Sequence, residues 1–147
     1  MAEIFTDEWA GAWCRAIQAS DAYKSAAAGW DGAVAVVMSA DPEYGVREER
    51  AVFLDLADGD CRGGRTAGTE ELAAAVFVLQ APPAVWKRVL GREIEPIWGL
   101  MSGKIALAKG SISKLIPYTR AAKEMVEQAV GLEADFPPGW PREDDTP

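Results

Sequence analysis

The chain has 147 residues, 49% hydrophobic and 26% charged, proportions that suit one globular domain with a sizeable core. A formal net charge of −8 opposes nucleic-acid binding, and the absence of histidine excludes Ser-His-Asp and Cys-His catalysis and His-ligated metals. No apolar run approaches the roughly 20 residues that span a bilayer; MAEIFTDEW lacks a basic start with an apolar run, and DDTP is not a peroxisomal address, so a cytoplasmic protein is expected.

Thr6 is the expected N-cap of a first helix, with Asp7 and Glu8 in its first turn, where carboxylates suit the helix dipole. Trp9, Trp13, Ala16, Ile17, Tyr23 and Ala27 recur at helical spacing, with Ser20 on the same face and Gly29 as the stop. Cys14 reads as a small core residue of this helix; Cys61 lies in a polar turn, where an exposed thiol activated by neighbouring Arg62 is an alternative reading. Ala33 to Met38 is a buried strand. A turn at 41–45 leads to a strand over Arg47 to Leu56, with Val52, Leu54 and Leu56 on one face and Phe53 and Asp55 on the other. ADGD at 57–60 is an Asp-Gly hairpin turn into a polar, glycine-rich edge strand, Cys61 to Ala67.

After a brief helical turn at Thr69-Glu70-Glu71, Ala73 to Gln80 reads as a fourth strand. Pro82-Pro83 ends it and opens a helix carrying Val85, Trp86, Val89 and Leu90; Pro96 starts a second with Ile97, Trp98 and Met101. KIALAK, Lys104 to Lys109, is a fifth strand with Ile105 and Leu107 on one side. The last helix starts near Ser111 or Ser113 and ends at Gly131, with Leu115, Tyr118, Ala122, Met125, Val126 and Ala129 on its apolar face. Strands in a run with helices segregated to the ends predict an α+β fold, an about five-stranded, mainly antiparallel sheet covered by helices. The domain is expected over 1–132. The Pro-rich acidic tail, 133–147, is expected to be extended or disordered, or to fold Phe136 and Trp140 back over a pocket mouth.

Gly103-Lys104 is not part of a phosphate-binding loop. The first glycine of such a loop would fall at Trp98, its hydroxyl residue at Ile105, and the order of elements is reversed. The hairpin group Asp55, Asp58, Asp60 and Cys61 is read as solvated turn residues or, alternatively, as a metal or thiol site. Lys87 to Lys123 holds eight basic and two acidic residues, +6 in all, which leaves −14 elsewhere as the difference from −8. That segment is read as solvated lysines or as a weakly basic face for anionic headgroups or a charged ligand tail, with Lys104 and Lys109 as its candidates.

Trp86-x-x-Val89-Leu90-Gly91, Pro96, Gly103-Lys104-Ile105-x-Leu107-x-Lys109-Gly110-Ser111, Leu115 and Tyr118 together resemble the C-terminal half of the sterol carrier protein 2 family. A long helix followed by Trp30-Asp31-Gly32 before the first strand agrees more loosely, and the resemblance runs over roughly residues 5 to 130. It implies a five-stranded sheet with packed helices around an apolar tunnel, and a carrier rather than an enzyme. The implied ligand is a fatty acid, acyl-CoA, phospholipid or sterol-like molecule. The chain departs from the family at Gly110-Ser111, at Ala73-Ala74-Ala75 and in its PPGWP tail, so a divergent bacterial-type member is expected.

Phe77, Trp86, Ile97, Trp98, Met101, Leu107, Leu115, Tyr118 and Met125 are the candidate ligand-binding residues, Tyr118 supplying a polar tip. No catalytic residue, metal ligand or cofactor is expected. The expected partners are an apolar small molecule and, transiently, an anionic membrane or a partner enzyme. The alternative is an accessory module that presents an apolar substrate to that enzyme.

Overall fold

The computed structural model describes residues 3–132 and 134–136. Thr6 caps α1 (Asp7–Gln18), its hydroxyl accepting the Trp9 N–H at 3.3 Å. The helix does not continue to Gly29. Ser20 is a second N-cap, accepting the Tyr23 N–H at 3.1 Å and starting α2 (Asp21–Ala26). A serine hydroxyl offers the backbone an alternative to the helical ladder, and here it breaks what periodicity joined.

Next come β1 (Val34–Met38), a 3-10 turn (Pro42–Tyr44), β2 (Arg50–Ala57), β3 (Asp60–Thr66) and α3 (Thr69–Ala74). They are followed by β4 (Phe77–Ala81), α4 (Pro83–Leu90), α5 (Pro96–Met101) and β5 (Ala106–Lys109). The chain then forms α6 (Ile112–Leu115), a 3-10 turn (Ile116–Tyr118) and α7 (Thr119–Val130). Ala73 and Ala74 therefore end a helix instead of opening the fourth strand. The expected single last helix is split around Pro117, which has no N–H to give the ladder.

The sheet order is β3-β2-β1-β4-β5, antiparallel throughout except between β1 and β4. That parallel pair sets Val34 beside Phe77 and Val36 beside Leu79. Strand periodicity then sorts the side chains. Val34, Val36, Met38, Leu54, Leu56, Phe77 and Leu79 join one core with α1, α2, α4, α5 and α7. Ala35, Val37, Phe53 and Val78 form a second apolar cluster on the other face, with Leu72 of α3 against it and the Arg65 guanidinium 4.8 Å from the Phe53 ring centre.

α1 lies tightly across β3. A Cβ on Gly64 would clash with the Ala10 carbonyl and lie 2.9 Å from Cys14 Cβ. That approach also brings Cys14 and Cys61 together as a disulfide, with Cα atoms 5.5 Å apart. Cys61 is fully buried and bonded, which sets aside the alternative of an exposed, reactive thiol: it faces α1 from the strand's inner side. Near the other end of the chain, the Ile4 N–H donates to the Asp135 carbonyl at 2.9 Å, and Phe136 is partly exposed. Trp140, the other residue of the expected tail cover, lies outside the described residues.

Candidate functional site

An apolar cavity of about 50 Å³ lies between the sheet and the helices that close over it. Its floor is Val34, Leu56, Phe77 and Leu79 from three strands. Pro96, Ile97 and Leu100 of α5 and Leu115 of α6 form one wall. Tyr118, Ala121, Ala122 and Met125 form another at α7, with Tyr23 and Trp30 at the end. The lining carries no carboxylate, amine or thiol. Its side-chain polar atoms are two phenol oxygens and one indole nitrogen. Burial pushes the Tyr23 phenol up to about 12, so it stays neutral.

A vestibule of about 510 Å³ adjoins this cavity. Trp30, Phe77 and Tyr118 line both spaces and form the partition between them. Trp30 packs tilted on Phe77 at 5.1 Å between ring centres and meets Tyr118 edge-on at 5.0 Å. The indole is anchored by its Nε1–H, which donates to the Gly32 carbonyl at 2.9 Å. Gly110 makes room for the Phe77 ring: it has φ +106°, and a Cβ there would overlap the ring atoms. The outer vestibule is exposed and mixed in character, with Val76, Ser111, Lys114 and, opposite in charge, Asp31. There are thus two spaces sharing an aromatic partition.

The sequence candidates separate by helical phase. Phe77, Ile97, Leu115, Tyr118 and Met125 line the cavity. Trp86 is in the core, donating its Nε1–H to the Val37 carbonyl at 2.9 Å, and Leu107 is half-buried on β5. Trp98 and Met101 point outward, 54% and 69% exposed. On α5 the pairs 97/100 and 98/101 have the same spacing; the structure turns the first inward, and Trp98 and Met101 do not line this cavity. Tyr23, Trp30, Leu56, Leu79, Leu100 and Ala121 were not among the sequence candidates. Alternation along β2 and β4 was the available signal for Leu56 and Leu79, since both share a strand face with core residues.

The acidic hairpin has local structural partners. Asp58 Oδ1 accepts the Gly29 N–H at 2.8 Å, Asp60 Oδ1 accepts the Cys61 N–H at 2.9 Å, and Asp55 pairs with Arg62 at 3.2 Å. Among the described residues, no group of three or more His, Cys, Asp or Glu side chains is arranged to hold a metal ion. Of the two bracketing lysines, Lys109 donates to the Ala73 carbonyl at 2.8 Å, and neither lines the vestibule; Lys114 does.

Comparison with known proteins defines the molecule further. A crystal structure of sterol carrier protein 2 superposes with a TM-score of 0.81 at 42% identity, over 88% of this chain and 99% of that one. The solution structure of a conserved hypothetical protein from Thermus thermophilus superposes equally well, TM-score 0.81 at 41% identity, over 92% and 93% of the two chains. Apo sterol carrier protein 2 from Yarrowia lipolytica shares the fold, with a TM-score of 0.55 at 14% identity, covering 88% of this chain and 91% of its own. A scan against protein-family models and a search of curated proteins find no match. The fold places the molecule in a class of small α+β domains in which helices close over one face of a five-stranded sheet. Within that class, the chain belongs to the sterol carrier protein 2 family.

Proposed function

We propose that the protein is a non-enzymatic carrier of an apolar chain-bearing molecule such as a fatty acid, acyl-CoA or phospholipid. The chain lies among Phe77, Ile97, Leu115, Tyr118 and Met125, and the polar head lies in the vestibule beside Lys114. The observation that carries this reading is the aromatic partition of Trp30, Phe77 and Tyr118, with an uncharged, largely apolar cavity on one side and a mixed, exposed vestibule on the other. An amphiphile has that same division. At about 50 Å³ the cavity is far below the roughly 300 Å³ of an ordinary ligand pocket, so loading requires the rings and α5 to move. A flexible chain enters such a space one methylene at a time, each worth about 0.8 kcal/mol when buried. A rigid sterol needs the whole volume at once, which favours chains. Loading and unloading take place at a membrane or a partner enzyme in the cytoplasm.

Two measurements test the proposal together: mass spectrometry of organic extracts from the purified protein, and displacement of a fluorescent fatty acid by unlabelled chains. Co-purified chain lipid and competitive displacement in the micromolar range are expected. No extracted lipid together with no displacement would overturn the reading.

A further inference from the structure

The vestibule of about 510 Å³ is lined by charge of both signs, Asp31 and Lys114. The fold brings them to one opening from distant segments: Asp31 lies between α2 and β1, and Lys114 is on α6. Both are exposed, and neither side chain has a hydrogen bond or ion pair among the described residues, with the other or with any third group. The charged neighbours around the mouth are, by contrast, engaged. Asp58 accepts the Gly29 N–H at 2.8 Å, and Lys109 donates to the Ala73 carbonyl at 2.8 Å. The Tyr118 hydroxyl stands at the same rim: a Cβ on Gly29 would lie 3.4 Å from its oxygen, and it too has no hydrogen-bond partner among the described residues. One space thus holds an unpaired carboxylate, an unpaired ammonium and an unpartnered phenol.

We infer that this vestibule is a subsite for a zwitterionic lipid head, one that carries an ammonium and a phosphate together. The ammonium of the head donates to the Asp31 carboxylate. The phosphate oxygens accept from the Lys114 ammonium and from the Tyr118 hydroxyl. Each charge then meets its opposite. A purely anionic head, such as a carboxylate, phosphatidylglycerol or the several phosphates of an acyl-CoA, satisfies Lys114 but sets its own charge in the space that Asp31 lines. Like-charge juxtaposition of that kind selects against the wrong partner. A primary ammonium suits the site better than a quaternary one, because it has N–H donors for the carboxylate. The inference rests on the carrier reading, since a chain in the cavity is what brings a head to the vestibule.

Displacement of a fluorescent fatty acid by single-chain competitors of one acyl length tests it, with inhibition constants corrected for the probe's own affinity. The competitors are lysophosphatidylethanolamine, lysophosphatidylglycerol and the free fatty acid. Lysophosphatidylethanolamine should compete about fivefold more tightly than lysophosphatidylglycerol, the worth of one exposed charge pair. Asp31→Asn should weaken the first about fivefold and tighten the second about two- to fivefold, opposite signs that a loss of fold does not produce. Lys114→Gln should weaken both. Equal competition by the two heads in the parent, an Asp31→Asn change that moves both in one direction, or Lys114→Gln without effect would overturn the subsite. The carrier reading survives each of these as long as the free fatty acid displaces the probe. No displacement by any of the three would overturn the carrier reading, and the subsite with it. Glycerophosphoethanolamine, which has the head and no chain, should leave the probe bound at the same concentration; if it displaces the probe, the vestibule takes a soluble zwitterion and the lipid assignment fails.

Discussion

Burial of Tyr23 makes stability depend on alkaline pH. Its phenol is raised from 10.0 to about 12 because the folded interior disfavours the phenolate. The folded state thus holds its proton more tightly than the unfolded chain does. The associated stability is fully present below pH 10 and is lost as pH rises from 10 through about 12. Denaturant melts between pH 9 and 12 should show a fall of about 2–3 kcal/mol from this group, and Tyr23→Phe should flatten it. The cysteines offer a second test at this scale. The disulfide closes a separation of 47 residues, worth about 4 kcal/mol by loop entropy, so Cys14→Ser with Cys61→Ser should lower the unfolding free energy by roughly that amount. Such bonds are uncommon in a reducing cytosol, so thiol labelling of intact cells reports directly on compartment. Neither pairing nor burial of Cys61 was legible in its polar neighbours, because both depend on how α1 crosses β3, a contact between distant segments. The outward placement of Trp98 and Met101 was illegible for another reason: spacing identifies a helix face but not which of two equivalent faces turns inward.

At the scale of elements, local chemistry was a good guide where one residue type forces the backbone. Thr6, Asp58-Gly59, Pro83 and Pro96 each start or turn an element where sequence reasoning placed one. Breaks inside periodic runs were less legible. Ser20 and Pro117 interrupt helices whose apolar spacing continues across them, since spacing records the shared core and not the cap between two helices. The cover over the cavity is also joined by ions. Arg92, just after α4, makes bonds of 3.1 to 3.2 Å to Glu127 of α7, and Lys123 of α7 meets Glu95, just before α5, at 3.5 Å. Exposed pairs of this kind are worth about 0–1 kcal/mol, too little to matter for folding but enough to bias a cover. Glu127→Gln should therefore shift the melting midpoint by no more than about 4 °C and speed fatty-acid release two- to fivefold in stopped flow. Equal release rates would show that the α4–α5 connection and α7 do not part on loading. Gly110→Ala belongs at this scale as well. With φ +106° and Phe77 already against it, any side chain drives the ring into the cavity. A loss of about 1–3 kcal/mol and of fatty-acid binding is expected, measured by denaturant melts and displacement.

For the whole molecule, the decisive quantity is the difference between about 50 Å³ of apolar space and the volume of an acyl chain. The sheet, its strand count and its covering helices follow from alternation and helical periodicity and were legible. A cavity is what remains after packing, the difference of large volumes summed over distant elements, so no local pattern records it. If the molecule is a carrier, its unliganded state is the well-packed one and the loaded state is opened at α5 and α7. Ligand then stabilises only by linkage, about 2.7 kcal/mol at a hundred times the dissociation constant, or roughly 5–10 °C in melting temperature. Ala122 provides the control. It is half-buried on α7 and lines the cavity, so Ala122→Leu adds three carbons where the unliganded protein has room. The variant should melt within about 3 °C of the parent, because filling a void offsets any strain of the larger side chain. It should also lose most of the ligand-induced shift, because the first methylenes of an entering chain find their place taken. Differential scanning fluorimetry with and without saturating palmitate separates the two effects. A variant that keeps the full shift would place the chain elsewhere than the cavity under α7, and the vestibule lined by Trp30, Phe77 and Tyr118 would become the next space to test.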